Sequence, residues 1–376
     1  MSIYISQDFD GGAIVAASAA HPEDISLMLR PDSSAKFLQW FYFRVQGAQA
    51  HECAIRILNA GQSTYPAGWE DYRAVASYDQ QHWIRVPTDY DGQILTIRHA
   101  PERNSVYYAY FEPYSLIRHR SLLERAAACP HMQVECLGKT IEDRDIDLIV
   151  VGDERKRRKI WITARQHPGE TMAEWFAEGM VDALRNSQNP MVRGLLAHAV
   201  FYIVPNMNPD GSVRGNLRTN AAGANLNREW LSPSLESSPE VWHVKRRIEK
   251  VGCDVFLDVH GDERLPYVFA AGGEMLDNFE AGKAAHQQRF IDCLAAASTE
   301  FRPTGCYPPG KYQKYGLELA STYMELAFDC VALMLEMPFK DNACAPNMRT
   351  GWSGGRSAKF GQQTLVALAA FDSLGF

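Results

Sequence analysis

The chain has 376 residues, of which 46% are hydrophobic and 22% charged, and its formal net charge is −7. That length supports two domains with substantial cores, and the acidic balance excludes a dedicated nucleic-acid binder, which needs a basic surplus to neutralise phosphates. No stretch approaches the ~18 uninterrupted apolar residues of a membrane span. The opening MSIYISQDFDGG lacks the basic region and apolar run of a secretory signal, so a cytoplasmic protein without membrane partners is expected.

Residues 1–114 read as all-β. FLQWFYFRV, ECAIRIL, RAVASYD, HWIRVP, ILTIRHA and VYYAYFE are short, aromatic and β-branched, with turn formers between them. They predict an antiparallel β-sandwich with Trp40, Phe41, Tyr42, Phe43, Tyr107, Tyr108 and Tyr110 in its core.

Residues 115–376 follow another rhythm. SLIRHRSLLERAAA reads as a helix capped by Ser115, then QVECLGK, DIDLIVVG and KIWITA as strands. The basic run Arg155 to Lys159 reads as a solvated hairpin turn. A helix follows His167 (TMAEWFAEGMVDALRN), then helix NPMVRGLLAHA, strand VFYIVPN, helix VWHVKRRIEKVG and strand DVFLDVHG. Helix AHQQRFIDCLAAAS, strand ALMLEMPF and helix FGQQTLVALAAFDSL complete the chain. The alternation predicts an α/β fold, a largely parallel or mixed sheet with helices on both faces. The eight cysteines form no Cys-x-x-Cys pair, and neither a zinc finger nor a disulfide framework is indicated.

His-x-x-Glu occurs at His99, His167 and His260, and alone it is a weak motif. His99, inside ILTIRHA, reads as an ordinary satisfied or surface histidine. His167 ends the strand KIWITARQ, Pro168 suits a first helical position, Gly169 loosens the turn, and Glu170 falls in the next helix's first turn. His260 ends another apolar strand and precedes Gly261. Ligands gather at such strand ends in open α/β sheets. Two histidines and a carboxylate can hold one zinc ion with a fourth position open to water, whose pKa the metal lowers towards ~7. The alternative is a helix-capping His167 and a buried, hydrogen-bonded His260.

Glu336, in LMLEMPF, sits in an apolar strand where burial raises a carboxyl pKa, fitting it to take a proton from water and return it to a leaving nitrogen. An ion-paired Glu at a strand end is the alternative. Arg218, in GNLRTN, suits a developing oxyanion. Asn227 and Arg228, in NLNREW, suit a terminal carboxylate. Asn206 to Gly211 (NMNPDG) reads as a structural, strand-ending loop.

HPGE, the NPDG-to-NLNR stretch, the strand-ending VHG and LEMPF resemble the M14-type zinc carboxypeptidases, most of all their cytosolic carboxypeptidase branch, some of whose members remove glutamate from protein tails. FLQWFYFRV and YFEPY resemble that branch's N-terminal β-domain, so the likeness covers nearly the whole chain. It implies a mixed eight-stranded sheet sandwiched by helices. It also implies one zinc ion on His167, Glu170 and His260, Glu336 as general base and acid, Arg218 on the oxyanion, and Asn227 with Arg228 on the substrate carboxylate. The implied reaction is hydrolysis of the C-terminal peptide bond of peptides or protein tails, with terminal glutamate as the expected preference. Two departures stand out. Asn225 occupies a place where the family carries an Asp that orients a zinc-binding histidine, although an amide oxygen also accepts a ring N–H. A mobile tyrosine is expected about 22 residues before the catalytic Glu, which selects Tyr315, with Tyr312 beside it, on the loop TGCYPPGKYQKYG. An acidic side-chain pocket needs a cation, for which Lys311, Lys314, Arg264 and Arg356 are candidates. Two other readings are a zinc amidase or deacylase of small N-acyl amino acids and a non-catalytic zinc-binding scaffold; the presence of Glu336 argues against the scaffold.

Overall fold

Ten short strands arise where β-branched and aromatic residues alternate with polar ones in the N-terminal part of the computed structural model, which describes residues 3–273, 279–304, 307–308 and 310–373. They are β1 (Tyr4–Ser6), β2 (Val15–His21), β3 (Asp24–Met28), β4 (Tyr42–Gln46), β5 (Cys53–Ile57), β6 (Val75–Ser77), β7 (Trp83–Arg85), β8 (Thr88–Tyr90), β9 (Leu95–His99) and β10 (Ser105–Ala109). Two five-stranded sheets result, in the orders β1-β4-β10-β6-β7 and β2-β3-β5-β9-β8. Pairing is antiparallel apart from β3 with β5. Period-two side chains such as Phe43, Val45 and Tyr108 from one sheet and Ile55, Ile57, Leu95 and Ile97 from the other enter one core. Of the predicted aromatic core, only Tyr107 is partly exposed. His99 is half-buried, with Nδ1 2.8 Å from the Tyr108 hydroxyl.

The rest of the chain builds α1 (Leu116–Ala127), β11 (Met132–Lys139), β12 (Asp145–Val151), β13 (Arg158–Ala164), α2 (Met172–Leu184), α3 (Pro190–His198), β14 (Ala199–Val204), α4 (Pro209–Arg214), α5 (Pro239–Val251), β15 (Val255–Asp262), β16 (Phe269–Ala271), α6 (Ala281–Ala297), α7 (Ala320–Phe328), β17 (Val331–Pro338) and α8 (Gly354–Ser373). Ser115 caps α1 by accepting the Arg118 N–H. The described sheet has seven strands, β11-β12-β14-β13-β15-β17-β16, against the eight expected. β14, β13, β15 and β17 run parallel at its centre. Alternate residues go to opposite faces: Ile160 and Ile162 pack with α2 and α8, while Trp161 and Tyr202 pack with α5 and α7.

Two local expectations are corrected. The basic run at 155–159 is not a hairpin turn, because β14 lies between β12 and β13; its end, Arg158 and Lys159, already belongs to β13. Glu170 precedes α2 instead of lying in its first turn, since the 165–170 segment is held as a separate turn and the helix begins at Met172. NMNPDG is structural as expected but runs into the short helix α4, with Asn208 accepting the Gly211 N–H. The seven described cysteines are unbridged, and no described helix is long and apolar enough to cross a membrane.

β13 is where the strand order reverses: β14 lies on one side of it and β15 on the other. The crevice at the carboxyl ends of β13 and β15 is therefore the topological switch point at which open sheets bind ligands.

Candidate metal centre and substrate cleft

His167 follows β13 and His260 lies near the end of β15, so parallel pairing brings them to the same end of the sheet. Beyond Ala164 the chain turns sharply. Arg165 adopts a left-handed φ of 59°, and its buried guanidinium donates to the carbonyls of Pro168 and Tyr114 and to Glu174. These contacts fix the turn that carries His167 and Glu170. The Gly169 N–H donates to the Leu217 carbonyl (2.9 Å), and a Cβ at Gly169 would come within 2.9 Å of that same oxygen. Glycine thus lets the Arg218 segment close against Glu170.

Three buried side chains converge. His167 Nδ1 lies 2.7 Å from Glu170 Oε1, His260 Nδ1 lies 2.8 Å from Glu170 Oε2, and the two Nδ1 atoms are 3.2 Å apart. The outer nitrogens are engaged behind them. His167 Nε2 is 3.0 Å from Asn225 Oδ1, so the amide oxygen supplies the acceptor that Asp supplies elsewhere. His260 Nε2 is 2.7 Å from Asp258 Oδ2. Asp258 is itself fixed by Thr163 and Gln166, and Gln166 by Trp230. Burial pulls the His260 imidazole down, but the Asp258 and Glu170 carboxylates on its two ring nitrogens hold it well above its usual value. Burial and the nearby Arg218 lower the His167 pKa to about 4, keeping that imidazole neutral. Burial pushes the Glu170 carboxyl up, but the two imidazoles hold it below the usual carboxylate range. Two imidazole nitrogens and one carboxylate oxygen facing a common point match a zinc donor set, metal binding releasing the proton that the His260 ring carries without it.

Glu336 reaches this centre through strand register: His260 pairs with Glu336 across β15 and β17. Burial, reinforced by the Glu170 charge, pushes its carboxyl up to about 8 against the pull of His260. Its Oε1 lies 3.2 Å from the Tyr307 hydroxyl, and its Oε2 has no partner among the described residues. The surrounding cavity of about 530 Å³ is lined by the three converging residues and by Arg218, Asn225, Asn227, Arg228, Glu336, Tyr312 and Tyr315. Arg218 Nη1 is 3.9 Å from Glu170 Oε1. Asn227 Oδ1 accepts the Ala320 N–H, and the Arg228 guanidinium lies 3.9 Å from the centre of the Tyr315 ring.

Several lining or supporting residues were not singled out from the sequence. Tyr307, in the same glycine- and proline-rich loop as Tyr315, is the tyrosine that touches Glu336 and also donates to Asp262 (2.7 Å). Asp258 is two residues before His260, and strand alternation would have placed both on one face. Phe37 and Tyr65 come from the N-terminal part, and no local pattern ties them to the cleft. Of the four candidate cations, Lys311 and Arg264 line the cavity, whereas Arg356 is paired with Glu300 and Asp341. Lys314 lies over the Tyr315 ring and is not among the lining residues.

Residues 5–111 match the cytosolic carboxypeptidase N-terminal domain, and residues 119–263 match the zinc carboxypeptidase domain. A metallo-carboxypeptidase structure from Burkholderia cenocepacia is 48% identical, with a TM-score of 0.97 over the full length of both chains. The chain belongs to the zinc carboxypeptidases. A second metallo-carboxypeptidase, from Pseudomonas aeruginosa and solved with (2-guanidinoethylmercapto)succinic acid, is 45% identical, with a TM-score of 0.94 over 98% of this chain and 99% of that one. Mouse cytosolic carboxypeptidase 6 is 29% identical over 70% of this chain, and the match spans 54% of the mouse protein. The protein is a metallocarboxypeptidase, as the sequence resemblance implied, with the family's mixed α/β fold and one zinc ion as its cofactor.

Proposed function

We propose that this carboxypeptidase removes single C-terminal residues from peptides or protein tails, with glutamate preferred, and that it works in the cytoplasm. His167, Glu170 and His260 are the proposed zinc ligands. When bound, zinc polarises the scissile carbonyl and makes water a better nucleophile near neutral pH. Glu336 takes the proton of the attacking water on its unpartnered Oε2 and hands it to the leaving amine. Arg218 faces the oxygen that gains charge as the carbonyl is attacked. Asn227 and Arg228 grip the terminal carboxylate, and the Tyr315 ring braces Arg228.

The observation that carries this reading is the convergence of two Nδ1 atoms on Glu170 with a buried, half-unpartnered Glu336 beside them. For terminal glutamate, the support is Lys311: its ammonium lies 3.3 Å from the centre of the Tyr307 ring, faces the cleft, and makes no ion pair among the described residues. A second reading, preference for a basic terminal residue, is favoured by Glu263. That carboxyl lines the cleft with Oε1 unpartnered among the described residues, and the Pseudomonas relative binds a succinic acid bearing a guanidino group.

Peptides differing only in their last residue, incubated with the zinc-loaded protein and followed by mass spectrometry, decide between these. Stepwise loss of terminal glutamate, abolished by chelation and by Glu336→Gln, is expected. Faster loss of terminal Lys or Arg would transfer the pocket to Glu263. No trimming of any peptide by zinc-loaded protein would sink the peptidase assignment and leave small N-acyl amino acids to test.

A further inference from the structure

The Arg218 guanidinium makes no direct hydrogen bond to a side chain among the described residues. Glu170 Oε1 is 3.9 Å away, and the flat neighbours are the rings of Phe37 and Tyr65, 5.8 and 5.7 Å from its central carbon. Its direction therefore depends on its own main chain. That segment, 215–220, lies in no helix or strand, so its N–H groups need partners from elsewhere.

One buried carboxylate from the N-terminal part supplies them. Asp32 Oδ1 accepts the Leu217 N–H (2.6 Å), and Oδ2 accepts the Arg218 N–H (3.0 Å), the Thr219 N–H (2.9 Å) and the Thr219 hydroxyl (2.8 Å). Neighbouring contacts dock the same two segments: the Ser33 N–H donates to Asn216 Oδ1, and the Ser34 hydroxyl donates to the Ala221 carbonyl. On the other side, the Leu217 carbonyl is held by Gly169 of the turn bearing His167 and Glu170. The Arg218 main chain is thus clamped between the proposed metal centre and Asp32, 186 positions away in sequence.

We propose that Asp32 is a positioning residue for Arg218, and that the N-terminal β-structure takes part in catalysis by fixing, through this carboxylate, the aim of Arg218 at the scissile carbonyl. The proposal rests on the reading of Arg218 given above. A carboxylate holds three converging N–H groups because it is acceptor-only. The Asn amide of equal shape turns one N–H₂ towards a donor and lets the segment shift. Displacements near 1 Å in such groups cost up to ~10²-fold in rate.

The test is a double-mutant cycle in steady-state kinetics on a good peptide substrate, with zinc content and melting temperature measured for every variant. Asp32→Asn is expected to lower kcat about tenfold or more with KM changed less than about threefold, because Asn227 and Arg228 are untouched. In an Arg218→Ala background the same change is expected to cost less than about twofold, the signature of two residues acting as one unit. If Asp32→Asn fails to fold, Thr219→Val, which removes one of the four contacts, is expected to lower kcat in the wild type and not in Arg218→Ala. Losses that multiply in full across the cycle, or Asp32→Asn with kcat within about twofold of wild type, would overturn the proposal. Arg218→Ala with undiminished kcat would show instead that the role given to Arg218 is wrong, and would take the proposal down with it.

Discussion

His119, on α1, couples stability to pH through its protonation. Its Nδ1 lies 2.6 Å from Glu174 Oε1 and its Nε2 3.0 Å from Asp147 Oδ2, in a buried position. Burial pulls the imidazole down, but the two carboxylates outweigh it and raise the pKa from 6.5 to about 9. At 1.36 kcal/mol per unit, a shift of roughly 2.5 units corresponds to about 3 kcal/mol. The native state holds this proton more tightly than the unfolded chain does. The stabilisation is therefore present in full below pH 6.5 and disappears as pH rises through about 9. Urea unfolding of wild type and His119→Gln, run from pH 6 to 10, isolates it from other titrating groups. The stability difference between the two proteins is expected to shrink by about 3 kcal/mol across that window. A difference that stays constant would refute the reasoning, since it would mean that His119 carries no extra proton in the native state. Because Glu174 also accepts from Arg165 and Asn206, the same alkaline change should loosen the turn bearing His167.

Two further outcomes bear on the cleft. Arg228→Ala is expected to raise KM roughly tenfold to a hundredfold while leaving kcat within a few-fold, as loss of a charge-assisted grip on the substrate carboxylate should; a fall in kcat at constant KM would place Arg228 at the reacting bond instead. Tyr307→Phe, which removes the hydroxyl touching Glu336 and Asp262, is expected to lower kcat by roughly tenfold, whereas Tyr315→Phe should leave kcat nearly unchanged because the phenyl face against Arg228 remains. The reverse pattern in steady-state kinetics would return the catalytic tyrosine to Tyr315.

Local patterns carried a good deal of this molecule. The alternation in FLQWFYFRV and VYYAYFE reappears as β4 and β10, and the cap Ser115 starts α1. His167 and His260 could be placed at strand ends because a strand terminates where its apolar run does. The basic run at 155–159 departs from the hairpin expectation for a topological reason. Adjacency in sequence suggests a hairpin, but β14, formed some 40 residues later, takes the place between β12 and β13. No window of local sequence contains that competition.

The sequence by itself determined the parts whose chemistry is local: the strands and helices, the metal-ligating residue types, and an apolar strand with a single Glu336 whose ionisation burial must perturb. Tertiary structure decided everything that depends on register and on distant partners. The pairing of β15 with β17 set Glu336 beside His260, and the Tyr307 hydroxyl, not that of Tyr315, reached Glu336. Folding of the N-terminal sheets delivered Asp32, Phe37 and Tyr65 to Arg218. Side-chain alternation and turn chemistry act over a few residues, whereas hydrogen bonds across more than 180 positions exist only once both cores have closed.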